Sequence, residues 1–301
     1  MHYSGLTYRP PFEANTLLLQ VTTGCSHNAC AFCTMYRNER FAVSPMSEIE
    51  EDLRETAAET PYVTRVFLEN GDPFALPAAR LLEISERIHE YLPCVETIAM
   101  YASIKNIRSK TDEELAALRT AGVNDLNIGV ESGLDSALAA MNKGYTAAQA
   151  LHELKRLRSA GIDYGANVIL GIAGSGHWEE NAHATAELLN ETTPYLIFTG
   201  TLHSDMGCPL YDDLQSGAFV ESSFGEYLDE EELLLSLLNL ENCLVFGLHP
   251  SNVVRMQGYL SRDKDAMLQE VRRTRIRLSP MLKHRPIRRG EGAIVLNPAG
   301  L

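Results

Sequence analysis

The sequence lacks any apolar run approaching the ~20 residues that a membrane-crossing helix needs, so nothing in it points to a membrane. Its first twenty residues, MHYSGLTYRPPFEANTLLLQ, carry no basic stretch followed by an apolar one, and a secretory signal is not expected. Positive charge is in short supply: 26 Lys and Arg against 40 Asp and Glu give a formal net charge of −14. That balance disfavours broad contact with nucleic acid, where binding rests on phosphate neutralisation. Tryptophan occurs once, as Trp178, and there is no fixed-period repeat, low-complexity tract or linker-like segment. A cytoplasmic protein is expected, in a compartment that keeps thiols reduced. Its 301 residues, 45% of them hydrophobic, suffice for a large core.

What is present is alternation. NTLLLQVTT, VTRVFLE, VETIAMYAS, DLNIGVES, YGANVILGI and YLIFTGTLH read as strands, and amphipathic helical stretches separate them. The spacing predicts helices over SPMSEIEEDLRETAAE, with Ser44 as cap and Pro45 at its first position, and over TDEELAALRTAG. The latter opens with a Thr111-x-x-Glu114 capping box and closes on Gly122. Six strand–helix repeats imply an α/β fold with parallel strands, in a barrel or an open sheet. From Asp229 the pattern turns helical, through LDEEELLLSLLNLENCLVFG and KDAMLQEVRRTRIRL, and the end, RRGEGAIVLNPAGL, reads as irregular. Eight Lys or Arg between Arg272 and Arg289 read as a solvated basic helix and tail rather than an anion site.

Three of the six cysteines, Cys25, Cys30 and Cys33, crowd into one loop with the spacing C-x4-C-x2-C. Close spacing in a reducing compartment points to metal ligation. Three thiolates, with His27 the only local fourth donor, leave both zinc and an iron–sulfur cluster open. The loop directly follows the first strand, at the edge where α/β folds hold their reactive centres. Cys94 and Cys243 show no ligand spacing and read as small buried hydrophobes.

With Phe32 just before the last cysteine, the loop resembles the cluster motif of the radical S-adenosylmethionine (SAM) superfamily, with one residue more than the usual C-x3-C-x2-C. FLENGDPF resembles the glycine-rich, acid-ended motif that holds the SAM amino group, which points to Gly71 and Asp72. NIGVESG places Glu131 like the ribose-binding acid of the branch containing oxygen-independent coproporphyrinogen oxidase and elongator-type proteins. GLDSALAAMNKGYT, which includes Lys143, continues that likeness; read alone, Lys143 is a cation at a helix end. NVILGIAG is similar to the strand that packs on adenine, with Ile169, Gly171 and Gly174 in place. Ser103 ends the third strand, where a donor would meet the SAM carboxylate. His177, Trp178 and His203 follow later strands and could line a substrate space. Cys208 stands where the branch has threonine, so no role is carried onto it.

The resemblance spans about residues 16 to 220. It implies a partial (β/α)6 TIM-type barrel over residues 1–228, with a helical C-terminal extension over 229–301 packed on it. It further implies that Cys25, Cys30 and Cys33 bind a [4Fe–4S] cluster, and that Phe32, Gly71, Asp72, Ser103, Glu131, Ile169 and Gly171 contact SAM. The enzyme would cleave SAM reductively to a 5′-deoxyadenosyl radical acting on a small-molecule substrate, with electrons from a reductant such as flavodoxin or ferredoxin. An iron–sulfur or haem-handling carrier without radical catalysis is the second expectation, and a zinc-binding interaction module the third.

Overall fold

The structure, a computed structural model, describes residues 1–5 and 7–285. The irregular end expected over 288–301, with the last two arginines of the basic run, lies outside the described residues. Strand β1 (Leu17–Gln20) leads into a short hairpin, β2 (Thr22–Thr23) and β3 (Ala42–Val43), whose connection carries the three cysteines. There follow α1 (Met46–Glu59), β4 (Arg65–Glu69), α2 (Ala78–Tyr91), β5 (Thr97–Ala102), α3 (Ile104–Arg108), α4 (Asp112–Thr120) and β6 (Val123–Glu131). The chain continues through α5 (Asp135–Ala140), α6 (Ala147–Ser159), β7 (Tyr164–Leu170), α7 (Trp178–Thr192) and β8 (Leu196–Thr201). It closes with α8 (Pro209–Ser216), α9 (Phe224–Leu237), β9 (Leu244–Phe246), β10 (Gln257–Tyr259), α10 (Leu260–Arg277) and α11 (Pro280–Lys283).

The main sheet runs in the order β1-β4-β5-β6-β7-β8-β9-β10. Pairing is parallel from β1 through β6 and between β8 and β9, and antiparallel between β9 and β10. Sequential strands that lie side by side in parallel need a crossover, and the helices supply it. In α2 the buried residues Ala78, Leu81, Ile84, Ser85 and Ile88 recur at helical spacing, so one face is covered. The Thr111–Glu114 capping box forms as expected, with both reciprocal hydrogen bonds. No described helix is long and apolar enough to cross a membrane.

Three expectations fail locally. Ser44 does not cap α1: its N–H goes to the Val21 carbonyl and its carbonyl to Arg80, and the extended Pro45 takes the cap position. The predicted helix over 228–247 is two elements. Helix α9 begins earlier, at a Ser223–Glu226 capping box, and stops at Leu237. The ammonium of Lys264 binds the carbonyls of Ser236 and Leu238 there, and the β-branched and aromatic run beyond becomes β9. Cys94 is exposed rather than buried. Cys243 is buried as expected, and burial pushes its thiol up to about 12. The basic face of α10 meets acids of α9: Arg272 pairs with Glu232 and Arg275 with Asp229, each at 2.6 Å.

Two compact units divide the chain. The first comprises Met1–Asn28, Met35–Gly129 and Gln149–Gly165; the second comprises Ala29–Thr34, Val130–Ala148 and the chain from Ala166 onward. In the first, Arg65 bridges Glu13 and Asp125, while Leu18, Phe67 and Ala99 form an apolar layer. The second is built on a cluster containing Ala31, Met141, Ile172, Leu202, Cys208 and Leu210.

Candidate active site

In the first unit the start of the cysteine loop is fixed by the turn after β4. Gly71 N–H donates to the Gly24 carbonyl at 3.1 Å. The approach is so close that a Cβ on Gly71 would stand 2.4 Å from that oxygen and 3.0 Å from Cys25 Cα, so only glycine fits. The buried Asp72 carboxylate accepts from Ser26 N–H at 2.9 Å and from Ser26 Oγ at 2.6 Å, gripping the residue after Cys25. Burial raises the Asp72 pKa, against the opposing hydrogen bonds of Ser26 and Asn106. Ser103 caps α3 reciprocally with Asn106, so Ser103, Asn106, Asp72 and Ser26 form one hydrogen-bonded chain. Lys105 Nζ lies 3.3 Å from His27 Nδ1.

The extra residue between Cys25 and Cys30 has a structural account here. Asn28 adopts φ +37°, a left-handed conformation that asparagine tolerates better than most side chains. Its Nδ2 donates to the Tyr36 carbonyl at 2.6 Å, so it staples the outgoing loop to its return.

In the second unit the remainder of the loop is laced by backbone. Ala31 N–H donates to Met141 O and Leu210 N–H to Ala31 O, each at 3.0 Å, and Asn142 Nδ2 reaches Ala29 O at 2.9 Å. Phe32 and Ile169 both pack against the apolar cluster. Glu131, at φ +65°, is buried and pairs with the buried Lys143 at 2.9 Å. Lys143 Nζ also lies over the rings of Phe32 and Tyr145, at 5.8 and 5.9 Å. Burial alone would lower its pKa, but Glu131, with smaller help from Tyr145 and Cys30, raises it well above the usual lysine value. Lys143 is therefore a buried ion-pair partner and not merely a solvated helix-end cation.

Helices α7 and α9 support the turns after β6 and β7. Gly171, at φ +76°, donates its N–H to Glu230 Oε2 at 2.8 Å, and a Cβ there would sit 2.1 Å from the Tyr227 ring. Asn181 Nδ2 donates to Glu230 Oε1 at 2.6 Å, and Asn181 Oδ1 accepts from the Ser132 hydroxyl. Gly133 N–H donates to Thr185 Oγ1 at 2.9 Å. Sequence reasoning missed Asn181 and Glu230, because two polar side chains on separate helices carry no spacing signal. His177 is exposed beside Glu180, and His203 pairs with Asp205 at 2.7 Å.

Besides Asp72, three carboxylates are held above their ordinary range mainly by burial: Glu69 and Glu230 to about 7, and Glu231, beside Glu230, to about 8. A carboxyl whose folded pKa exceeds its unfolded value adds stability that is complete below about 4.5 and is lost as pH rises through the folded value. The melting temperature should therefore fall between about pH 5 and about pH 8, and Glu231→Gln should flatten that fall. Thermal melts across that window check it; an unchanged slope in the variant would contradict it.

Among the described residues, no three His, Cys, Asp or Glu side chains converge on a point where one ion would sit. A four-iron cluster does not require this, since each thiolate binds a different iron. The donor set fits such a cluster. The three thiols are half-buried, none is in a disulfide, and the Lys143 cation acts on Cys30 in the sense that favours a thiolate.

Residues 19–189 match the Radical SAM superfamily. Over 191 residues the chain is 25% identical to a tRNA-2-methylthio-N(6)-dimethylallyladenosine synthase of Bordetella petrii, covering 60% of this chain and 39% of that protein. The chain thus spans about two fifths of the length of that curated relative. Among solved structures, it resembles the radical S-adenosylmethionine methyltransferase TsrM from Kitasatospora setae, which has cobalamin and a [4Fe–4S] cluster bound. The TM-score is 0.55 at 19% identity, over 70% of this chain and 38% of that one. It also resembles coproporphyrinogen III oxidase from Escherichia coli, a radical SAM enzyme, with a TM-score of 0.53 at 16% identity, over 73% of this chain and 51% of that one. These likenesses show the fold, the partial barrel that the superfamily resemblance implied. The chain belongs to the radical SAM superfamily, a family of enzymes that use a [4Fe–4S] cluster and S-adenosylmethionine.

Proposed function

We propose that this chain cleaves S-adenosylmethionine reductively at a [4Fe–4S] cluster held by Cys25, Cys30 and Cys33, and that the resulting 5′-deoxyadenosyl radical acts on a small-molecule substrate. The observation that carries the reading is the fixation of the cysteine loop. Asp72 and Gly71 hold its first part, Met141 and Leu210 its last, and Asn28 clamps its middle. Each end of the loop is thus held within its own unit, which restricts the thiols it carries. When bound, the cluster supplies the electron that breaks the sulfonium bond of SAM.

The chain's own residues bind and orient. Gly71 presents backbone at close range, and Asp72, although engaged with Ser26, keeps lone pairs for an ammonium. The hydroxyl of Ser103 accepts from α3 and retains its proton for a carboxylate. Glu131, oriented by Lys143, accepts from ribose hydroxyls. Phe32, Ile169 and the Gly171 turn offer apolar and backbone surface to the base. Residues 1–228 form the core in this reading, with the chain from 229 an extension packed on it. Glu230 bound to Gly171 supports that part, since it ties the extension to a turn of the core. The excess of acid, and the pairing of the α10 arginines with α9, favour a small substrate over nucleic acid. A cytoplasmic location and a flavodoxin- or ferredoxin-type reductant complete the reading.

Anaerobic reconstitution with iron and sulfide, followed by SAM and dithionite, tests it. The expected result is 5′-deoxyadenosine and methionine in equal amounts. Intact SAM binding with no deoxyadenosine would instead support the carrier.

A further inference from the structure

Strand pairing in the first unit builds a buried polar row. Leu18, Phe67 and Ala99 lie on one face of β1, β4 and β5, and Tyr101 meets Phe67 edge-on with ring centroids 5.3 Å apart. Side chains alternate along a strand, so two residues further on the same face carries Gln20, Glu69 and Tyr101. Gln20 is paired with Glu69 in the β1–β4 register, and Tyr101 with Asn127 in the β5–β6 register. An apolar layer is thus followed by a polar one across four neighbouring strands, at or beside the C-terminal ends of β1, β4 and β5 and midway along β6.

Two members of this row are not satisfied from within. Gln20 exchanges hydrogen bonds with Ser4, both at 2.9 Å. Glu69 is 0% exposed and Asn127 2%, yet among the described residues no partner meets either Glu69 oxygen or Asn127 Nδ2 at full hydrogen-bond geometry; only the Thr7 side chain reaches Glu69, and it does not offset the burial. A buried polar group left in that state costs free energy comparable to a lost hydrogen bond, so such groups mark places where something binds. The chemistry of the vacancies is specific: two anionic acceptors on one strand, and an amide donor two strands away. Two strand spacings amount to about 9.6 Å, more than one bridging water spans with two hydrogen bonds of about 2.9 Å.

We propose that this row recognises the substrate, a small molecule carrying a protonated amine beside a carbonyl or carboxylate, with the amine on Glu69 and the oxygen on the Asn127 amide. The site rests on the enzymatic reading above. Burial raises the Glu69 pKa to about 7, and an arriving cation favours its ionised form. The N-terminal segment covers the row. Ser4 is bound to Gln20, Arg9 lies near enough to Glu69 to favour its charge, the Thr7 side chain hydrogen-bonds to it, and Tyr8 stands edge-on to Tyr36.

Reconstituted protein saturated with SAM is screened against the common amino acids and their amides, beside the same skeletons lacking the amine, by thermal shift and equilibrium dialysis. At least one amino compound should bind where its deaminated counterpart does not. Glu69→Gln and Asn127→Leu should each weaken that binding about tenfold or more while SAM is still bound normally. Cluster absorbance and SAM binding are read on the same samples. If both are intact and no amino compound binds, the site is wrong while the enzyme reading stands. If the variants weaken SAM itself to the same degree, the row serves the aminocarboxylate of SAM and the substrate assignment is overturned. If no cluster forms, the enzyme reading fails and takes the site with it. Should Glu69→Gln not fold, the comparison of amino and deaminated compounds on the unaltered protein decides.

Discussion

Replacing Cys25, Cys30 or Cys33 by alanine should remove the visible absorbance of the reconstituted protein and reduce deoxyadenosine formation to the assay background. The three variants should be equally affected, because each thiolate would hold its own iron. Cys94→Ala supplies the contrast: that thiol is exposed and should be replaceable without loss of either signal. Cys208→Ala tests a different effect. Cys208 is 1% exposed inside the apolar cluster, so its removal should cost about 1 kcal/mol of stability and leave cluster assembly unchanged. Retention of the absorbance and of SAM cleavage in Cys30→Ala would end the cluster assignment.

Glu131→Ala should destabilise the folded chain by about 3–5 kcal/mol, measured by denaturant unfolding before any cofactor is added. The reason is what it strands. Lys143 is buried, and Glu131 at 2.9 Å is the main influence keeping its ammonium charged. A buried cation without its partner is far more costly than the missing pair, so Glu131→Ala combined with Lys143→Met should recover most of the loss. The same single variant should weaken SAM binding, and the double variant should not restore it. If Glu131→Ala unfolds within about 1 kcal/mol of the unaltered protein, the pair is not holding a buried charge and the account of this turn is wrong.

Much of the architecture was legible in the residues because it depends on local periodicity. The six strands and their helices follow from apolar spacing, and the Thr111–Glu114 box marks the start of α4 to the residue. What could not be read was decided by partners distant in sequence. Ser44 has the right chemistry for a cap, but Val21 and Arg80 claim its backbone and the helix starts beyond it. The leucine-rich stretch after Asp229 has helical spacing throughout. Lys264, more than twenty residues away, meets the carbonyls that end α9, and pairing with β8 turns Leu244–Phe246 into strand.

The candidate site divides in the same way. The three cysteines, Gly71, Asp72, Glu131 and Gly171 stand out because each lies in a short motif at a strand end, and motif chemistry is written in adjacent residues. That Asp72 grips Ser26, that Glu131 holds a buried Lys143, and that Glu230 reaches Gly171 are long-range facts, set only when the strands and helices pack. By itself the sequence determined the α/β repeat, the crowded cysteines and their place after β1. Tertiary structure alone decided which buried polar groups the protein satisfies fully and which, like the Asn127 amide, it does not. Hydrogen-bond satisfaction is a property of the packed interior, where water no longer answers every donor and acceptor.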